Sequence, residues 1–122
     1  MTVDTKILKV GIASREEYKA RTIAIAKGQY KPTPDEPKVW FQSLETLAKV
    51  LSESNRELLA TIAETNPGSL DELAAKTGRA VSNLSRTLRT MEGYGLVHFE
   101  PGPHRRLAPR VDYSGVELAV SF

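Results

Sequence analysis

Apolar residues recur along this chain at spacings of two and of three to four, and the changes of spacing mark its elements. Lys6 to Ile12 alternates, with Leu8, Val10 and Ile12 on one side, which predicts a strand. Ser14-Arg-Glu-Glu17 is a capping box, Ser14 as N-cap and Glu17 at N3. It opens a helix over about Arg15 to Ala26, with Tyr18, Ile23 and Ile25 in imperfect amphipathic spacing and Gly28 as its stop. A β-α unit of this size cannot bury a core alone, so it must pack on the rest of the chain or on a partner. Leu44, Leu47, Ala48 and Leu51 predict a short helix. Ser54 to Glu57 reads as a second capping box, opening a helix with Leu58, Leu59, Ile62 and Ala63 inward. Asn66-Pro67-Gly68 ends it. Ser69 to Glu72 is a third box, and its helix places Leu70, Leu73, Ala74 and Thr77 on one side. Gly78 falls where a helix terminus needs positive φ.

The stretch from Gly78 to Val97 organises the C-terminal part of the chain. At 100° per residue, Val81, Leu84, Leu88 and Met91 fall within an arc of about 80°, a core-facing stripe. Ser82, Asn83, Ser85, Arg86, Arg89 and Thr90 share the opposite face, which holds no acid and no large apolar residue. Hydroxyls, an amide and two guanidiniums are the donors that read base edges and grip phosphates. The plain alternative is a solvated face, although such faces usually mix Glu with Lys and carry Ala. Glu92 to Gly95 ends the helix. Leu96 to Phe99 reads as a strand, Pro101 to Arg106 as a loop, Leu107 to Tyr113 as the returning strand, and Val116 to Phe122 as a last strand. A short helix, a Gly turn, a donor-rich helix and a β-hairpin together make the pattern of a winged helix-turn-helix.

The expected fold class is therefore α+β. A winged helix-turn-helix domain spans residues 39–122, with an N-terminal β-α extension and Pro-rich linker over residues 1–38 serving interaction or dimerisation. Lys31 to Lys38 holds three of the seven prolines. Trp40 and Phe41 could stack on bases, but ahead of an amphipathic helix they read better as an anchor in a core or dimer seam.

Charge sharpens the picture. Met1 to Ser43 carries eight Lys/Arg against five Asp/Glu, Leu44 to Gly78 three against six, and Arg79 to Phe122 six against four. Every basic residue of that last segment is Arg, which suits bidentate recognition of phosphate or guanine. The absence of cysteine excludes disulfides, thiol catalysis and Cys-based zinc sites. Asp4, Lys6 and Lys9 interrupt any signal-peptide core, and no run approaches the roughly 18 apolar residues of a membrane span. A cytoplasmic protein without membrane association is expected. His98 and His104 have no carboxylate cluster nearby in the sequence, so no metal site is expected. Gly93-Tyr-Gly95 precedes a strand and lacks the helix of a nucleotide loop. Glu16 and Glu17 point to different sides of a helix and form no acid–base pair. No nucleophile has a base beside it, so neither an enzyme nor a cofactor is expected.

Ser82 to Val97, SNLSRTLRTMEGYGLV, resembles the winged-helix transcriptional regulators of the MarR-like and ArsR-like kind. In those a Ser-Arg pair opens the polar face, a Leu-x-x-Met/Leu-Glu pair closes the helix, and Gly-Leu-Val begins the wing. The resemblance covers about Leu44 to Val111. The run from Val39-Trp-Phe through Ala108-Pro-Arg-Val111 is also similar to a family of predicted prokaryotic DNA-binding regulators, some of them antitoxins of toxin–antitoxin pairs. It implies a homodimer on double-stranded operator DNA, with contacts carried onto Ser82, Asn83, Ser85, Arg86, Arg89 and the wing arginines Arg105 and Arg106. Arg79 and His104 complete the expected DNA-binding set. The alternative function is an antitoxin that neutralises a cognate toxin protein and autoregulates its operon. A third possibility is a winged-helix scaffold with little sequence preference.

Overall fold

β1 (Ile7–Ile12) is the middle strand of a parallel sheet ordered β2-β1-β5. Its neighbours are β2 (Val39–Phe41) and β5 (Gly115–Ala119). The computed structural model describes residues 6–122; the first five residues of the N-terminal unit lie outside the described part. Val10 pairs with Val39 and Ile12 with Phe41 on one side, Leu8 with Val116 on the other. Parallel neighbours require a crossover, and α1 (Arg15–Ala26) supplies it between β1 and β2. The expected capping box is present: Ser14 Oγ accepts from the Glu17 N–H and Glu17 Oε1 from the Ser14 N–H, both at 3.1 Å. Those bonds hold the Glu17 carboxyl below its ordinary pKa, the Ser14 backbone N–H contributing most.

The sheet crosses the division expected at residue 38. What the sequence reads as an extension supplies the central strand, so the N-terminal unit packs on the rest of its own chain and the whole forms one α+β domain. On the sheet's outer side the Trp40 ring lies over Gly11, where a Cβ would come within 2.6 Å of it. Arg21 stands 5.2 Å from the Trp40 ring and 5.8 Å from that of Tyr30, and pairs with Glu36 at 2.9 Å. α1 itself buries no residue.

The next four elements are helices: α2 (Leu44–Val50), α3 (Glu53–Thr65), α4 (Leu70–Thr77) and α5 (Val81–Gly93). The cap of α3 differs from expectation. Ser52, not Ser54, accepts from the N–H three residues on, that of Asn55, at 3.2 Å. Ser54 lies inside the first turn, because α2 ends early enough for α3 to start at Glu53. At α4, Ser69 Oγ accepts from the Glu72 N–H, but Glu72 Oε2 takes the N–H of Gly68 in place of that of Ser69. Gly78 has the expected positive φ, 76°.

β3 (Val97–Pro101) and β4 (Leu107–Val111) form an antiparallel hairpin with Val97 opposite Val111 and Pro101 opposite Leu107. One core joins all layers: Leu8, Val10 and Phe41 of the sheet, Leu58 and Ile62 of α3, Leu73 of α4, Leu84, Leu88 and Met91 of α5, and Val97 of β3. Val81, expected in the α5 stripe, is 40% exposed. It is the first helical residue and sits at the stripe's edge, 60° round from Leu84. Among the described residues no helix is long and apolar enough to cross a membrane.

Candidate functional site

α5 is held by its buried stripe against α4 and β3, which fixes the direction of its other side. Ser82, Arg86, Arg89 and Thr90 are exposed there, with Asn83 and Ser85 half-buried on the flanks. At the N-terminus Ala80 offers no side-chain cap, and the first turn holds no acid. The first-turn N–H groups therefore stay without a side-chain acceptor and keep the positive end of the helix dipole open.

The arginines of this region differ in how they are held. Arg86 has no side-chain partner among the described residues. Arg89 lies 5.1 Å from the Phe99 ring of β3 and 3.5 Å from Glu92. Glu92 thus brings an acid to the flank of a face read as acid-free, one helical turn from Arg89. Arg79 is directed inward: its Nη2 donates to Ser54 Oγ and to Asn55 Oδ1, the latter at 3.0 Å. Asn55 in turn donates to the carbonyls of Lys49 and Val50. Arg79 therefore ties the α4–α5 turn to α3 and the end of α2.

That tie brings α2 beside α5. Lys49, in the last turn of α2, lines a shallow cavity of about 210 Å³ together with Asn55, Arg86, Thr87 and Thr90. Sequence reasoning missed Lys49, since no local pattern places the end of α2 against α5. The neighbourhood is cationic and rich in donors, with no carboxylate in its lining.

The hairpin loop, read from the sequence only as a loop over Pro101 to Arg106, does not stand free of the helices. Pro103 to Arg105 forms a 3₁₀ turn that folds back toward the α3–α4 loop, where a Cβ on Gly102 would come within 2.4 Å of the Gly68 carbonyl oxygen. Arg106 pairs with Asp71 of α4 at 2.6 Å. Arg110 pairs with Glu100 at 3.0 Å and donates to the Pro67 carbonyl at 2.7 Å. These contacts pin the loop to the start of α4. His104 and Arg105 remain exposed without side-chain partners among the described residues, at φ of 57° and 62°. Two adjacent non-glycine residues in the left-handed region cost on the order of 1–3 kcal/mol each, which the pinned loop must offset.

His98 has carboxylates nearby after all. Its Nδ1 is 2.6 Å from Asp112 and its Nε2 3.3 Å from Glu100. The Asp112 hydrogen bond is the largest cause of a His98 pKa raised above the ordinary histidine value. Among the described residues no group of three or more His, Asp and Glu side chains is placed to hold a metal ion.

Arg86, Arg89, Ser82, Asn83 and Ser85 are thus gathered on α5, whereas Arg79 and Arg106 are drawn into contacts with α3 and α4. No curated protein and no solved structure matches the chain. Residues 50–118, more than half of it, match the HVO_A0114 family, and the chain belongs to that family.

Proposed function

We propose that this member of the HVO_A0114 family is a sequence-specific regulator of transcription that binds double-stranded DNA through α5. In this reading α3, α4, α5 and the β3–β4 hairpin act as a winged helix-turn-helix, with α5 in the major groove and the hairpin on the flanking backbone. The observation that carries it is the outer face of α5: Ser82, Arg86 and Arg89 along its centre, Asn83 and Ser85 beside them, and Lys49 of α2 next to Arg86. A rigid helix showing donors and cations to solvent suits base edges and phosphates. The open α5 N-terminus supports the same partner, since first-turn N–H groups favour a phosphate. One such helix covers a half-site, so the regulator acts as a homodimer on a near-palindrome. Selection from a random duplex library tests the reading. An enriched motif bound far more tightly than random DNA is expected; recovery of no motif, with no binding at low salt, rejects it.

A second reading, an antitoxin with a protein partner, is favoured by one feature. α1 buries nothing and leaves Tyr18 and Ile23 49% and 43% exposed. Phe41 offers no such surface, being wholly buried. Co-purification with the product of a neighbouring gene, lost on Ile23→Asp, would support that reading.

A further inference from the structure

Between α3 and the C-terminal strand runs an apolar groove of about 400 Å³. Leu59, Ala60 and Ala63 of α3 form one wall, and Tyr113 and Val116 line the other. Arg56 and Glu64 also line it, eight residues apart on α3, which is about 12 Å along the axis. Arg56, Leu59, Ala60, Ala63 and Glu64 fall within about 140° of one helix side. Both charged residues are exposed, and neither has an ion-pair partner among the described residues. Among the described residues the one side-chain bond of Arg56 runs from Nε to the Leu51 carbonyl, and its terminal nitrogens engage none of them.

We propose that this groove is covered by α3 of a second copy of the chain, packed antiparallel about a two-fold axis at Ala60. The charge pattern selects that occupant. Arg56 and Glu64 stand four residues to either side of Ala60, so a two-fold through Ala60 sets Arg56 of each copy opposite Glu64 of the other. An isologous interface needs this self-complementarity, and an unrelated partner would have no cause to match it. Ala60 at the axis is small enough for the helices to approach within the usual 8–10 Å. Leu118, 40% exposed, lies on the same side of β5 as Val116 and extends the apolar surface beyond the groove toward the roughly 800 Å² per partner of a stable interface. No α5 residue lines the groove. The assembly stands independently of the DNA-binding reading, although it provides the two-fold that reading requires.

Sedimentation of the full chain without DNA tests it, so failure here is separable from failure to bind DNA. The native chain is expected to dimerise in the micromolar range. Arg56→Glu and Glu64→Arg each turn two symmetry-related attractions into repulsions and should raise the dimer Kd by about tenfold or more. Combining them restores opposite charges and should return Kd to near the native value. Both sites are exposed, so circular dichroism melts should change little. The chain has no cysteine, so Ala60→Cys provides a second reading. Mild oxidation should give a covalent dimer, because Cα atoms at the axis come within disulfide reach, while Ala20→Cys on α1 should not. A native chain monomeric at every concentration overturns the proposal. So does a dimer indifferent to both charge reversals, a combined variant no better than the single ones, or Ala60→Cys that fails to cross-link.

Discussion

The Tyr94 ring, just past the end of α5, stacks on the Phe41 ring of β2 with centroids 4.1 Å apart and planes 18° from parallel. Phe41 is fully buried, and through this pair the three-stranded sheet grips the C-terminal end of α5. Phe41→Ala should therefore cost about 3–5 kcal/mol of unfolding free energy, by lost burial and an unfilled cavity. Tyr94→Ala should cost less, since Tyr94 is only half-buried. A double-mutant cycle in urea should return a coupling of about 0.5–1.5 kcal/mol for the stacked pair. Additive costs would mean that the stacking itself contributes nothing.

Arg86 and Arg89 share a face but differ in their partners, and their alanine variants should separate accordingly. Arg86→Ala removes an exposed side chain that has no hydrogen-bond or ion-pair partner among the described residues, so stability should stay within about 0.5 kcal/mol. Under the proposed function, binding to the selected duplex should weaken by about 1–3 kcal/mol. Arg89→Ala also removes the contact with the Phe99 ring and should lower the melting temperature slightly as well as affinity. Native DNA affinity in the Arg86→Ala, Arg89→Ala double variant would remove α5 from the interface.

His98 gives the hairpin a pH dependence of known sign. The Asp112 hydrogen bond, with a smaller contribution from Glu100, raises its pKa above the ordinary 6.5 in the folded state. A raised folded-state value means that the charged ring binds its proton more tightly than in the unfolded chain. The associated stability is present in full below the ordinary value and is lost as pH rises through the folded-state value. Melting temperatures should accordingly fall as pH rises above the ordinary histidine value of about 6.5 and through the raised folded-state value, and His98→Gln should flatten that part of the profile. An equal fall in the variant would assign the titration to another group.

The helices were legible because each carries its own local signals. Leu84, Leu88 and Met91 recur at helical spacing, Ser14 and Ser69 cap, and Gly78 and Asn66 turn the chain. The hairpin was equally plain from alternation and from the Pro-Gly-Pro loop. What the sequence could not show is which strands meet. β1 and β5 are parallel neighbours more than a hundred residues apart, and their alternation fixes a face without naming a partner. The same limit hid the partners of Arg79 and Arg106 and the place of Lys49, all of which depend on how helices dock. Charge counts identified the arginines, and only the packing separates those facing solvent from those holding the turn and the loop.

The loop arginines provide the sharpest separation of that kind. Arg105 is exposed and unpaired among the described residues, whereas Arg106 pairs with Asp71 at 2.6 Å. Both members of that pair are more than half exposed, so it contributes at most about 1 kcal/mol and is screened by salt. If the hairpin meets the DNA backbone, Arg105→Ala should weaken binding to selected and random duplexes by similar factors. It should also reduce the slope of log affinity against log salt by about one, as one phosphate contact is lost. Arg106→Ala should leave that slope nearly unchanged and lower the melting temperature by a few degrees at most, an effect that Asp71→Ala reproduces and that does not add in the double variant. Binding isotherms over a salt series, with melts of the same preparations, distinguish the two roles. A slope that falls for Arg106→Ala and not for Arg105→Ala would mean that Arg106 leaves Asp71 for the phosphate on binding, and would reverse the two assignments.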